Sequence, residues 1–485
     1  MSSVVHDIAS RPSITSETSD IHNMLDTYIT SRTSRTSHTS HTSIVRAAPR
    51  MCVPTSPPLF IIALTTVIAK NWQRTWCDKR TIMMRKVSTT VKNLIDNMGL
   101  PVFVCLANKW TVKDEEIGFM NKISVLSNSY KITTLDIHYC KINMIIENLL
   151  KTLSQCSNLE CLKLSNNNIG DIEVFRLAEA IKNCNMLKLL DLSINNIGKA
   201  GAKKLENALS ENTTLIHLNL GMNYFEREGA NSISRSMAKR NFALAYINLS
   251  ENYIYCDGAI SIASAINKQN NQSLMHIDLS NNSIEKKGFE SLTSALKHCE
   301  ALKHLNISGN WIDCYESLSE VLVQCKLLEH LNLGYNSIIL LESNSFINGL
   351  GQCSALTCLE LPNNIICDEG VVKLHNKLKL CKKLEKLNLS ENNISDTGAE
   401  ILSRALNVCD WPELKELNLS NNQIDNKGVN SIACALTHST TLTKLNLNFN
   451  WFDDVGLNIL NQALKKCTFL KCSHMYCYNR SSINY

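Results

Sequence analysis

An α/β solenoid is the fold this sequence predicts, with a parallel sheet on its concave side and helices on its convex side. Three observations predict it. The first is a change of period within one segment, Leu384 to Leu406: Leu387 and Leu389 alternate as strand residues do, whereas Ala399, Leu402, Ala405 and Leu406 return at helical spacing. The second is recurrence. The phrase that closes this strand on Asn392 comes back at Asn167, Asn195, Asn223, Asn252, Asn282, Asn310, Asn336, Asn364, Asn422 and Asn450, at intervals of 26 to 30 residues. The third is a glycine six residues after the asparagine, where the helix opens, at Gly201, Gly229, Gly258, Gly288, Gly370, Gly398, Gly428 and Gly456. One strand and one helix in each period of about 28 residues give about 12–14 units. Such a unit cannot bury its apolar face alone, so neighbours stack into one continuous core.

Taken in order, the 485 residues fall into three stretches. Residues 1–58 are a Ser/Thr/Arg-rich leader. Its segment TSRTSRTSHTSHTS, residues 30–43, offers no large apolar side chain to repay the entropy of ordering, and so predicts disorder. Residues 59–86 contain the apolar run Leu59 to Ala69. That run is well short of the roughly 20 residues a membrane span needs, so it reads as a short helix against the first repeats.

Residues 87–485 form the array, with a weak copy over 87–129, clear repeats over 130–470 and a C-terminal cap over 471–485. In the weak copy Val87, Val91, Leu94, Ile95 and Met98 make one helical face, and Leu100, Phe103, Cys105, Asn108 and Trp110 then keep the strand register. The following copy sets Ile132, Leu135 and Ile137 in line, with Cys140 in the asparagine slot. Further on, Glu173, Glu316 and Glu342 stand where glycine is expected, and the helical phase shifts near residues 314–324. At the far end the asparagine slot falls on Tyr478.

Twenty cysteines raise the question of disulfides. Seven of them, Cys156, Cys184, Cys299, Cys325, Cys353, Cys381 and Cys467, share one slot three residues before the first strand leucine; elsewhere Asn212, Asn241 or Asn271 fills it. A position open to both Cys and Asn serves packing or backbone hydrogen bonding, which predicts free thiols. The sequons at Asn248, Asn306, Asn388 and Asn418 fall within strands, where glycans would crowd the sheet. Both observations point to the cytoplasm or the nucleus. The net charge of +5 sits in the leader: residues 1–100 hold 12 Lys/Arg against 6 Asp/Glu, and the remainder 37 against 38. A near-neutral array argues against a duplex nucleic-acid surface.

The strand phrase L-x-x-L-x-L-x-x-N-x-I, followed by G-A/V-x-x-L/I-x-x-A-L, resembles the ribonuclease-inhibitor-like class of leucine-rich repeat. Similar arrays form the C-terminal part of NOD-like receptors. The resemblance implies a leucine-rich repeat solenoid, or horseshoe, acting as a protein-binding scaffold, with innate sensing as one setting. Those receptors carry a nucleotide-binding domain before their repeats; the sequence holds no G-x-x-x-x-G-K-[ST], and it also lacks G-x-S-x-G, H-E-x-x-H and zinc-spaced C-x-x-C pairs. No catalytic residue, cofactor or metal is therefore assigned. Cys467, Cys472, His474 and Cys477 read as a cysteine-rich cap.

Candidate binding residues stand in three slots. The strand position before the second leucine holds His217, Tyr246, His276, His304 and His330 on five successive strands. The slot before the asparagine adds Ile194, Met222 and Tyr335, and the slot after it adds Tyr224, Tyr253 and Trp311. Aromatic groups rimmed by polar ones are typical of interface hot spots. The expected function is a non-enzymatic interaction scaffold that holds a protein partner on its concave face. Ordinary histidines titrate near pH 6.5, so binding is expected to respond to pH between about 5.5 and 7.5. Two related families offer other functions on similar repeats, Ran-type GTPase activation and ribonuclease inhibition. The first commonly ends in an acidic stretch, and residues 467–485 contain no Asp or Glu.

Overall fold

The computed structural model describes residues 102–107, 132–138 and 146–467, except 240–243, 269–271, 314, 341–343 and 408–409. The expected leader, the apolar run at 59–69, the helix before Leu100 and the C-terminal cap lie outside the described residues. Among the described residues, thirteen strands form one parallel sheet in sequence order. They are β1 (Val102–Ala107), β2 (Ile132–His138), β3 (Cys161–Lys163), β4 (Leu189–Asp191), β5 (His217–Asn219), β6 (Tyr246–Asn248), β7 (His276–Asp278), β8 (His304–Asn306), β9 (His330–Asn332), β10 (Cys358–Glu360), β11 (Lys386–Asn388), β12 (Glu416–Asn418) and β13 (Lys444–Asn446). From β2 onward each is followed by one helix, which packs on the helices of the neighbouring repeats. The result is an open solenoid.

Register decides what a repeat slot becomes in space. From β3 to β13 the strands pair with no offset, so Leu190 lies beside Leu218, and Leu387 beside Leu417. Alternation then sends one set of side chains inward. Leu384, Leu387 and Leu389 are buried, as are Ala399, Leu402, Ala405 and Leu406 on the inner face of the helix Asp396–Asn407. Each residue between the buried ones is displayed on the concave face, where Asn388 is half-buried.

The slot asparagines bind one repeat to the next. The Asn282 side-chain carbonyl accepts from the Asn252 and Ile254 amides at 2.9 and 3.3 Å, one repeat earlier. Its Nδ2 donates to the carbonyls of Leu249, Leu279 and Ser280 at 2.9, 3.0 and 3.0 Å. Asn195, Asn310 and Asn422 repeat the arrangement. The cysteine slot works in the same direction. Cys325 Sγ lies 3.4 Å from the Leu296 carbonyl and 3.3 Å from that of Cys299, while Asn212 Nδ2 reaches the Cys184 carbonyl at 3.4 Å. Burial pushes the Cys299, Cys325 and Cys353 thiols up to about 12, and all three are free.

A second set of contacts, invisible in the strand pattern, meets the glycine slot in some repeats. Asp396 Oδ1 accepts from the Asp425 and Gly428 amides of the next repeat, both at 2.8 Å, and so caps that repeat's helix. Asp171 and Asp368 do the same for Gly201 and Gly398. A Cβ on Gly428 would stand 2.6 Å from Asp396 Oδ1 and 2.7 Å from Ile424 Cγ2, closer than atoms pack, so this position excludes larger residues. Glu173 in the same slot accepts from the Gly170 amide at 2.9 Å and opens a helix of twelve residues, Asp171–Lys182, whereas the helices Leu318–Gln324 and Asn344–Leu350 have seven.

Candidate functional site

Zero register offset brings the first candidate slot together. His217 stacks on Tyr246 with ring centroids 3.7 Å apart, and Tyr246 on His276 at 4.2 Å. His276 meets His304 at 5.1 Å with a tilt of 34°, and His304 stacks on His330 at 4.3 Å. Five rings from β5 to β9 thus form one unbroken ladder along the concave face. Parallel strands lie about 4.8 Å apart, close to ring-stacking distance, so identical slots filled with flat side chains stack without further adjustment.

This packing changes the histidines' charge. Burial lowers the affinity of His217, His276 and His304 for a proton; for His276, with His304 beside it as a second cause, the pKa falls to about 4. These three imidazoles are therefore neutral near pH 7. The expected response between pH 5.5 and 7.5 is corrected downward for them, because each ring is half-buried against its neighbours in the ladder.

The second and third slots land elsewhere. Ile194, Met222, Tyr224, Tyr253, Trp311 and Tyr335 lie in the turns at the carboxyl ends of the strands, forming a rim beside the ladder. All six are exposed, Trp311 by 70%. Tyr224 and Tyr253 stack at 6.2 Å; no such stack joins Trp311 to Tyr335. Five of the six have left-handed backbone: Ile194 (φ 56°), Met222 (φ 56°), Tyr253 (φ 55°), Trp311 (φ 56°) and Tyr335 (φ 53°). The slot before the asparagine is left-handed elsewhere too, filled by Asn166, Asn281, Gly309, Asn363 and Asn421, and by Glu251 and Glu391. Asparagine and glycine accept that conformation cheaply, whereas a branched or bulky residue there costs roughly 1–2 kcal/mol. The rim thus places large apolar side chains where the backbone favours small ones.

Two rim residues were missed. Phe449 (φ 59°) and Trp451 occupy the same slots around Asn450 and are exposed. Their positions in the repeat are a sufficient signal, although they stand beyond the histidine stripe. Past β9 the face changes character. Cys358 is buried, Lys386 pairs with Glu360 at 2.7 Å, and Lys444 pairs with Glu416. A depression lined by His330, Cys358, Glu360, Lys386 and Glu416 marks the junction of ring ladder and charged strip. The strand-entry slot brings Glu329 beside the ladder: one of its carboxylate oxygens and one ring nitrogen each of His304 and His330 lie within 4.8 Å of one another. No helix among the described residues is long and apolar enough to cross a membrane.

A model of the Leucine Rich repeat matches residues 155–172, 183–205, 270–292, 380–403, 413–433 and 438–458. No curated protein matches the sequence. Among solved structures, the chain is similar to an internalin from Listeria monocytogenes, at 19% identity and a TM-score of 0.45 over 76% of this chain and 95% of that one. It is similar also to a Leptospira interrogans leucine-rich repeat protein, at 19% identity and a TM-score of 0.42 over 74% and 81%. The ectodomain of the Arabidopsis thaliana membrane receptor kinase GASSHO1/SCHENGEN3 gives 20% identity and a TM-score of 0.40, over 70% of this chain and 44% of its own. With strand, asparagine turn and helix recurring along one parallel sheet, and six of its segments matched by that family model, the chain is a leucine-rich repeat protein.

Proposed function

We propose that this chain is a non-enzymatic scaffold whose protein partner seats on the concave face over β5 to β9. One observation carries the reading: the unbroken ladder of His217, Tyr246, His276, His304 and His330. Stacked rings offer a rigid, largely preordered surface, so a partner immobilises few side chains on docking and keeps more of its contact energy. The rim beside it adds Tyr224, Tyr253, Trp311 and Tyr335, amphipathic or aromatic anchors of the kind that dominate interfaces. The partner chemistry that fits is an apolar or aromatic segment, or an arginine laid flat on a ring. The resemblance to NOD-like receptor arrays suggests innate sensing in the cytoplasm or nucleus as the setting.

The test compares the affinity of a captured partner for three full-length proteins: wild type, His276→Ala with His304→Ala, and Lys286→Ala with Lys427→Ala on the exposed helical surface. The ring pair should weaken binding at least tenfold and the lysine pair should not. Loss with the lysine pair alone moves the partner to the convex side and ends the concave-face reading. Stimulated GTP hydrolysis by a Ran-type GTPase, or inhibition of a ribonuclease, would replace the scaffold reading with the corresponding activity.

A further inference from the structure

We propose that His304, His330 and Glu329 form a binding site for one divalent first-row transition-metal ion, of the Zn2+ class, on the concave face. β8 and β9 pair with His304 directly opposite His330, so both imidazoles leave the sheet side by side. Glu329, one residue before His330, brings a carboxylate to the same place, and the three ligand atoms already lie within 4.8 Å of one another. Two imidazoles and one carboxylate suit Zn2+, Co2+ or Ni2+, whereas Mg2+ and Ca2+ prefer oxygen ligands throughout.

Metal–ligand bonds of about 2.0–2.2 Å set tetrahedral ligand atoms roughly 3.3 Å apart, so the three groups have to close by at most about 1.5 Å. The stack as it stands does not aim both lone pairs at one point, since the two rings are only 16° from parallel. Rotation of His330, which is exposed, and of the half-buried His304 can bring the nitrogens together. The ion would then replace the His304–His330 stack and leave the stack from His217 to His276 in place. Solvent on the open side supplies the remaining ligand as water.

Lys303 is the competitor. Lys303 Nζ sits 2.9 Å from Glu329 Oε1, and a metal ion has to displace the ammonium to take the carboxylate. Removing Lys303 should therefore strengthen metal binding.

The experiment titrates Co2+ into full-length, chelator-dialysed protein, followed by calorimetry and visible absorption. Wild type should show one site with d–d bands and no sulfur-to-cobalt charge transfer, which separates it from uptake by the cysteines. His304→Ala and His330→Ala should each weaken the site tenfold or more, with His304→Gln as a second variant if the first unfolds. Glu329→Gln should weaken it about tenfold, Lys303→Met should tighten it severalfold, and His217→Ala should leave it unchanged. Identical titrations for wild type, His304→Ala and His330→Ala would overturn the proposal. An unchanged affinity in Glu329→Gln would overturn the three-ligand site.

Discussion

Asn282→Ala tests the inter-repeat ladder most directly. The side chain is fully buried and makes five contacts to backbone groups, two as acceptor and three as donor. Its two amide protons are shared among three carbonyls, so the set counts as about four hydrogen bonds. At about 1 kcal/mol net for each, the loss is about 4 kcal/mol, and the orphaned Asn252 and Ile254 amides keep it from being smaller. Its neighbour Asn281 is exposed and left-handed (φ 54°), so Asn281→Ala should cost only about 1 kcal/mol. Urea unfolding followed by circular dichroism gives the total, and hydrogen exchange at the Asn252 and Ile254 amides gives the local effect, since a solenoid can open in parts. Asn282→Asp keeps the acceptor and turns a donor into a negative oxygen facing carbonyls. Burial raises that carboxyl's pKa above its unfolded value, so the variant should regain stability relative to wild type as pH falls. If Asn282→Ala costs no more than Asn281→Ala, the ladder is decoration and the reasoning fails.

Three further outcomes follow from packing and charge. Leu389→Ala should cost about 2–5 kcal/mol, through lost burial and a residual cavity, while Asn388→Ala on the opposite strand face costs much less; equal effects in thermal unfolding would mean the faces are reversed. Gly428→Ala should destabilise although alanine favours helices, because the new Cβ meets Asp396 and Ile424; a rise in melting temperature would contradict the close approach. His276 binds its proton less readily when folded, with a pKa of about 4, so the unfolded chain holds more protons from about pH 6.5 down to 4 and acid removes stability across that window. His276→Gln should flatten the decline, and an NMR titration that places the His276 midpoint near 6.5 would refute the burial argument.

Most of the scaffold could be read from the sequence because repetition multiplies a weak signal. A single L-x-x-L-x-L-x-x-N phrase decides little, but its return at Asn167 through Asn450 dictates strand, turn and helix together. The ring stripe was readable for the same reason, since equal slots become neighbours when register has no offset. Three features were not. The left-handed backbone at Ile194 and Tyr335 lies in dihedral angles that residue type does not reveal, and both residues argue against it. Glu329 joins His304 and His330 from a different slot, so a reading made slot by slot passes over it. The lowered proton affinity of His276 arises from ring-on-ring burial, which exists only after the sheet has formed.

The two sets of contacts run in opposite directions along the chain. Asparagine reaches back, as Asn195 does to the Asn167 and Ile169 amides, and aspartate reaches forward, as Asp171 does to Gly198 and Gly201. During synthesis a repeat that follows Asp171, Asp368 or Asp396 therefore emerges from the ribosome with its helix cap already supplied, but with its turn unfinished until the next asparagine appears. Growth of the solenoid is polar. The forward contact reaches the helices that follow Asp171, Asp368 and Asp396, whereas the backward contact of the asparagines recurs along the array, so each turn is completed only by the repeat after it.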